Sequence, residues 1–343
     1  MCTVKSLSLS CVLVLSALAV GGGCRKEETP KSDAAATRPA ARGEKAYRIA
    51  VIAKSQGNQV FQAARVGAED AARDLGAKHG IKIEIIWRTP NEEDAQKQAE
   101  YIEQLSVQGV DGITISCSDA STVTFAIDKA VQRGVQVMCF DSDAPQSKRF
   151  CYYGVDDIEC GRSVMRELAA LLGDKGGKVA VLAGNQTAPN LQKRAEGVRL
   201  EAARHQNIQI VDVFYHTETA QDAAAKVEEV QVVHPDIAGW AMIGGWALFA
   251  DSLLKWEPGK VKIVSVDALP EQLEYVRGGV AQVLLAQAVY DWGYHSVELL
   301  VDKLHFKKDP PQAVNTFELI RVTKENVEEY AGNWGKWLRK GSG

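Results

Sequence analysis

From Tyr47 onward, short runs of β-branched and aliphatic residues alternate with longer stretches in which apolar positions recur every three or four residues. The first pattern suits strands buried on both faces and the second suits helices with one buried stripe, so the chain predicts parallel sheets covered by helices. In the first half the pattern predicts strands over 47–53, 82–87, 112–116 and 135–140, with helices over 58–75, 92–108 and 120–133 between them. Gly76, Gly109 and Gly134 stand at or just past these helix ends, where a left-handed cap is expected. After a crossing segment at 152–155 the rhythm restarts, with helices over 158–172, 191–205, 220–233 and 248–256. Strands are predicted over 178–183, 208–214, 237–243 and 262–266. A strand over 280–286, a long helix over 289–304 and an extended stretch over 316–322 complete the body. Two α/β units of similar size, joined more than once, would make a hinged clamshell.

The segment ahead of this body is patterned differently. A single cation, Lys5, precedes an apolar run from Leu7 to Val20 and then Gly21-Gly22-Gly23-Cys24. Residues 1–23 read as a secretory signal, and the small residues before Cys24 resemble a bacterial lipoprotein box, with Cys24 as the lipidated residue. Gly21 departs from that box, which usually has an aliphatic residue there; a plain signal peptide or an uncleaved anchor is the alternative. Residues 24–46 are mostly Lys, Glu, Ala, Pro and Thr, too poor in apolar groups to recover the entropy of folding, and read as a flexible tether.

Composition narrows the partners. The 343 residues suffice for about two globular units, and 46% hydrophobic with 24% charged residues describes an ordinary globule. Forty Lys and Arg against 44 Asp and Glu leave a net charge of −4 with no long basic stretch, which argues against nucleic acid as a partner. Four of the 7 cysteines, Cys117, Cys139, Cys151 and Cys160, fall in the body; an exported disulfide and four buried thiols both fit them.

No catalytic constellation appears. The G-x-G-x-x-G fingerprint is absent after the first strand, the glycine-rich stretch 173–178 precedes a strand where a phosphate loop would follow one, and neither G-x-S-x-G nor H-E-x-x-H occurs. No cofactor or metal is implied. Polar residues do recur at the C-terminal ends of the predicted strands, where doubly wound sheets bind ligands: Asn58, Ser116, Asp141, Ser142 and Asp267. Each could equally cap a helix, but five in register along two sheets suggest one shared site.

These residues carry a family resemblance. The opening 47–52 with Asn58, Phe61 and Gly67-Ala68, then Gly109-Val110-Asp111-Gly112-Ile113, Phe140-Asp141-Ser142-Asp143-Ala144-Pro145 and Gly154-Val155-Asp156-Asp157 with Gly161 resemble the type I periplasmic binding proteins of the ribose and galactose group. So do Arg194-Ala195-Glu196-Gly197, Val266-Asp267, Ala286-Gln287 and Gly293-Tyr294 with 296–300, in order from Tyr47 to Val322. The resemblance implies two doubly wound parallel-sheet lobes joined by a three-crossing hinge: 47–155 plus 288–316, and 156–287 plus 317–330, with 331–343 as a tail. It also implies ligand contacts at Asn58, Phe61, Asp141, Arg194, Asp267 and Gln287. Ser116 stands where ribose-type members have Asn, Ser142 where they have Arg, Val60 where they have a second aromatic, and Gly244-Gly245 where they have Asn-Asp. Trp246 directly follows and is expected to fill the vacated volume as a stacking surface, whereas Trp240 reads as core; Tyr215 and His216 are further candidates for the cleft wall. The ligand expected is therefore a sugar or related polyol larger or less uniformly polar than ribose.

On this reading the protein is no enzyme but a monomeric lipoprotein of the periplasmic or extracytoplasmic space that hands its solute to the permease subunits of an ABC importer. A sensory sugar receptor is the second reading, and an exported enzyme the third. A sugar-responsive repressor would need a helix-turn-helix where this chain has a signal and tether.

Overall fold

The computed structural model describes residues 45–339, so the expected signal, the lipidation at Cys24 and the tether up to residue 44 lie outside the described residues. Strands β1 (Ala46–Ile52), β2 (Lys82–Trp87), β3 (Gly112–Ile115), β4 (Gln136–Phe140) and β5 (Cys151–Gly154) alternate with helices α1 (Gln59–His79), α2 (Ala95–Val107) and α3 (Ala120–Gln132). Then follow α4 (Asp157–Leu172), β6 (Gly177–Ala183), α5 (Pro189–Ala202), β7 (Ile208–Tyr215), α6 (Ala220–Val233), β8 (Ile237–Met242) and β9 (Lys262–Val266). The chain ends with α7 (Pro270–Arg277), β10 (Val283–Ala286), α8 (Val289–Val301), β11 (Val314–Thr316), β12 (Ile320–Val322) and α9 (Val327–Trp337).

Two six-stranded sheets result, in the orders β11-β5-β4-β3-β1-β2 and β12-β10-β9-β8-β6-β7. All pairs are parallel except β10 with β12. The central strands bury both faces: Ile49, Val51, Ile113, Ile115, Val264 and Val266 are all fully enclosed. The chain passes between the sheets three times, after β5, after β10, and between β11 and β12. Helix α8 returns to pack on α1 of the first lobe, where Gly67 meets the backbone of Tyr290 and Gly293 that of Ala64. The second lobe repeats the device, Gly161 against Arg194 and Gly197 against Ile158 at the crossing of α4 and α5. A Cβ at any of the four would overlap backbone.

Several local expectations are corrected. Helix α1 runs through Gly76 and ends at Gly80, whose φ of 63° supplies the left-handed cap, whereas Gly109 and Gly134 do cap as expected with φ of 74° and 90°. The helix expected over 248–256 is two short 3₁₀ turns, Trp246–Phe249 and Asp251–Lys255, broken by extended Ala250, whose carbonyl accepts the Tyr275 hydroxyl. The crossing at 152–155 contains a true strand, β5, and the stretch 316–322 divides into β11 and β12 in different sheets. The long helix over 289–304 passes at Val301 into a π-helical turn, and the eight-residue α7 was not expected. The segment from 331 expected as a tail is instead the larger part of α9, which buries Val327, Tyr330 and Trp334 and sends the Trp334 indole N–H to the Ala268 carbonyl at 2.8 Å. Cys117, Cys139, Cys151 and Cys160 are buried free thiols, Cys117 and Cys139 having their sulfurs 3.8 Å apart. Among the described residues no helix is long and apolar enough to cross a membrane.

Candidate functional site

Because every parallel strand in a sheet ends on the same side, the polar residues that follow β1, β4, β7 and β9 collect on the two facing sheet edges. Between them lies a cavity of about 590 Å³. Asn58, Phe61, Asp141, Arg194, Trp246, Asp267 and Gln287 line it.

Asp141 and Asp267 occupy equivalent positions in the two lobes. Each directly follows a strand and adopts a left-handed backbone, with φ of 55° and 68°, a conformation that Asp tolerates better than most residues. The Asp141 amide donates to the Tyr153 carbonyl at 3.1 Å and its own carbonyl accepts the Tyr152 hydroxyl at 2.8 Å, which ties the turn to β5. Asp267 is held likewise by its amide on the Leu285 carbonyl at 3.0 Å, and burial pushes its carboxyl above the ordinary range.

A buried relay joins the second-lobe groups. Arg194 donates through Nε to Asp157 at 2.9 Å, through Nη1 to the Ile243 carbonyl at 3.3 Å, and through Nη2 to Gln287 Oε1 at 3.0 Å. Gln287 passes the chain on, its Nε2 donating to Asp267 at 2.7 Å. Three of the five guanidinium N–H groups are thus spent on the protein, and two are left for the cavity. Burial pushes the Asp157 carboxyl up to about 6 against the opposing pull of Arg194. Burial also works against the Arg194 charge, but Asp157, Asp141 and Asp267 outweigh it.

Asn58 both lines the cavity and caps α1, its Oδ1 accepting the Val60 amide at 3.1 Å. Phe61 packs edge-on to Phe140 and tilted on Trp292, ring centres 6.5 and 6.2 Å away. Trp246 puts its ring where any side chain on Gly244 would have to go and stands edge-on to His216 at 5.2 Å. Trp240 is fully buried core, its indole N–H on Gln231 at 2.9 Å. Ser116 and Ser142 are not on the cavity wall. Ser116 lies behind Asp141 and donates to its carboxylate at 2.6 Å, while Ser142 is fully enclosed with its hydroxyl unpartnered. Tyr215 is exposed, and His216 backs Trp246 as a neutral ring, burial having drawn it down to about 4.

One end of the wall escaped the sequence reading. Lys54 follows β1, Glu93 precedes α2, and Glu218 follows β7 with a left-handed φ of 62°. Their strand-end positions were a usable signal for Lys54 and Glu218; Glu93 had none. Lys54 Nζ stands 4.0 Å from Glu93, and Glu218 Oε1 accepts the Asn185 amide at 2.8 Å. Burial and the facing Glu93 push the Glu218 carboxyl up to about 7. At the mouth, Gln59 of the first lobe donates to Glu271 of the second at 2.7 Å.

Two α/β lobes, three crossings and a cavity between the lobes define a protein built to close on a small solute. A family profile described as a periplasmic binding protein domain matches residues 49–308, and the chain belongs to that family. It is 27% identical over 266 residues to the ribose import binding protein RbsB of Bacillus subtilis, covering 77% of this chain and 84% of that one. It is 28% identical over 232 residues to the D-ribose/D-allose-binding protein of Pseudomonas aeruginosa, covering 64% and 70%. Among solved structures, an ABC transporter solute binding protein from Burkholderia graminis in complex with D-arabinose superposes with a TM-score of 0.78 at 26% identity, covering 84% of this chain and 99% of that one. The family consists of solute-binding proteins that work in the periplasmic or extracytoplasmic space.

Proposed function

We propose that this chain is the substrate-binding component of an ABC importer, capturing a small polyhydroxylated solute of the sugar class between its lobes and presenting the closed complex to a membrane permease. It acts as a monomer without cofactor or catalysis, anchored through lipidated Cys24. The observation that carries the reading is the pairing of Asp141 and Asp267 in equivalent left-handed turns on opposite lobes, both facing one cavity of about 590 Å³. Carboxylates so placed accept hydroxyl protons from two sides of a polyol; Arg194 and Gln287 add donors, and Phe61, Trp246 and Trp292 supply flat apolar faces. Trp246 over Gly244 gives the pocket more apolar wall and supports a solute larger or less uniformly polar than ribose.

The test is calorimetric titration of sugars and polyols into the wild-type chain, Asp141→Ala and Asp267→Ala. Loss of either carboxylate leaves ligand hydroxyls desolvated without acceptors, which costs about 1–3 kcal/mol, or roughly five-fold to over a hundred-fold in affinity. Unchanged affinity in both variants would place the solute elsewhere.

A further inference from the structure

The charges facing the cavity do not balance. Two cations line it, Lys54 and Arg194, against six carboxyl groups: Glu92, Glu93, Asp141, Glu218, Asp267 and Glu271. Arg194 is already committed to Asp157, Asp141 takes the Ser116 hydroxyl, and Asp267 takes Gln287. What remains uncompensated is the end of the cavity where Lys54 and Glu93 of the first lobe meet Glu218 of the second. Lys54 is only 7% exposed, yet its Nζ is 4.0 Å from Glu93, beyond hydrogen-bonding distance. One ammonium therefore serves two carboxyl groups and bonds closely to neither.

A second observation points the same way. Asn190, 6% exposed, turns a buried Oδ1 with no partner onto the same wall, and Glu271 has an unpartnered buried Oε2 there too. Among the neutral donors of the wall, Trp292 Nε1 is buried without a partner among the described residues; other free donors there belong to the two cations, Lys54 and Arg194. Excess carboxylate and orphaned acceptors together call for a ligand rich in donors and positively charged; a uronate or aldonate would add negative charge to a wall that already has too much.

Resting on the reading of this cavity as a polyol site, we propose that the solute carries a protonated amine, an amino sugar or amino polyol, and that Glu93 and Glu218 close on its ammonium from opposite lobes. The ammonium supplies the missing positive charge and three N–H donors. Lobe closure is then coupled to the amine, because each lobe brings one of the two carboxylates.

Proton linkage gives this a signature. Burial and Glu93 push Glu218 up to about 7, so near neutrality Glu218 holds part of a proton, which an arriving ammonium expels to solvent. The groups facing Glu218 are Glu93, whose carboxyl hydrogen-bonds to it, and Lys54 across the cavity, with the Asn185 amide, His216 and Asp222 on its own lobe; His216, down at about 4, is already neutral there. Amine affinity should therefore rise between pH 5.5 and 7, with proton release on binding.

The experiment is calorimetric titration of the wild-type chain with 2-amino-2-deoxyhexoses, their neutral parent hexoses and the matching hexonates, in two buffers of different ionisation enthalpy. The amino member of a pair is expected to bind at least about tenfold tighter than its parent and to release protons near pH 7. Glu218→Gln should bring the two affinities within about threefold and abolish the release, and Lys54→Gln, which removes the competing cation, should widen the gap. Equal or tighter binding of a neutral parent, preference for a hexonate, or an unaltered gap in both variants would overturn the amine assignment while leaving the polyol site standing. Failure of all three classes to bind would overturn the polyol reading and this one with it.

Discussion

Arg194 shows how a residue read as a ligand contact can be as much a part of the scaffold. Its fork spans Asp157, the Ile243 carbonyl and Gln287, three acceptors in different directions, all in a buried setting. A lysine ammonium on a shorter reach cannot serve all three. Each buried acceptor left without its donor costs about 1–3 kcal/mol, so Arg194→Lys is expected to lose at least about 2 kcal/mol of stability in urea unfolding without added ligand. Arg194→Ala, which leaves the buried Asp157 carboxyl without its bonded cation, should lose about 3–5 kcal/mol. A lysine variant as stable as wild type would show that the relay holds nothing together. At this scale the sequence located Asp141 and Asp267 from their place just after apolar runs; that both are left-handed follows only from the turns that aim them.

Among the elements, helix approach is set by small residues at matched places in the two lobes. Gly293 lies so close to Ala64 of α1 that an added Cβ must displace backbone, whereas Gly332, inside α9, has open space around the same atom. Gly293→Ala is thus expected to destabilise by about 1–3 kcal/mol through overpacking, while Gly332→Ala should be neutral or stabilise by up to about 1 kcal/mol through helix propensity. Thermal unfolding of the two variants side by side checks this, and similar behaviour would refute it. The elements that the pattern missed are short or interrupted. Helix α7 spans eight residues, too few for a periodicity to declare itself, and Phe249 with Leu253 has the i, i+4 spacing of a helix although Ala250 between them is extended. Helix α9 reads as a polar tail until Trp334 is seen docked on Ala268.

For the molecule as a whole, buried titrating groups shape the dependence of stability on pH. Asp157 and Glu218, raised to about 6 and about 7 from ordinary values of 3.8 and 4.5, keep protons in the native state that the unfolded chain has released. The stability they contribute is present at low pH and is lost as pH rises through those values. His216 acts in the opposite sense: lowered to about 4 from 6.5, it is neutral when folded and protonated when unfolded, so stability is gained between those limits. One acid roughly offsets the histidine, and the other leaves a net decline of up to about 1.4 kcal/mol per pH unit between about pH 5 and 7. The urea midpoint of the ligand-free protein is expected to be highest near pH 5, to fall toward pH 7.5 and to level off above 8. A midpoint rising steadily from pH 5 to 8 would contradict this burial pattern.

What the sequence by itself determined is the alternation of strands and helices, the division into two lobes with several crossings, and the strand ends that carry polar groups. Those features are local: a period of two or of about 3.6 is visible within a dozen residues, and a parallel sheet gathers all its strand ends on one edge whatever the loops do. Which side chains face the cavity was decided by tertiary structure. Ser116 and Ser142 stand at strand ends as clearly as Asp141 does, yet both lie behind the wall, while Lys54, Glu93 and Glu218 lie on it. Glu93 and Glu218 belong to different lobes and are distant in the chain, and no pattern along one segment can state that their carboxyl groups meet on one cavity wall. That depends on how the crossings set one sheet edge against the other, because the cavity exists only between them.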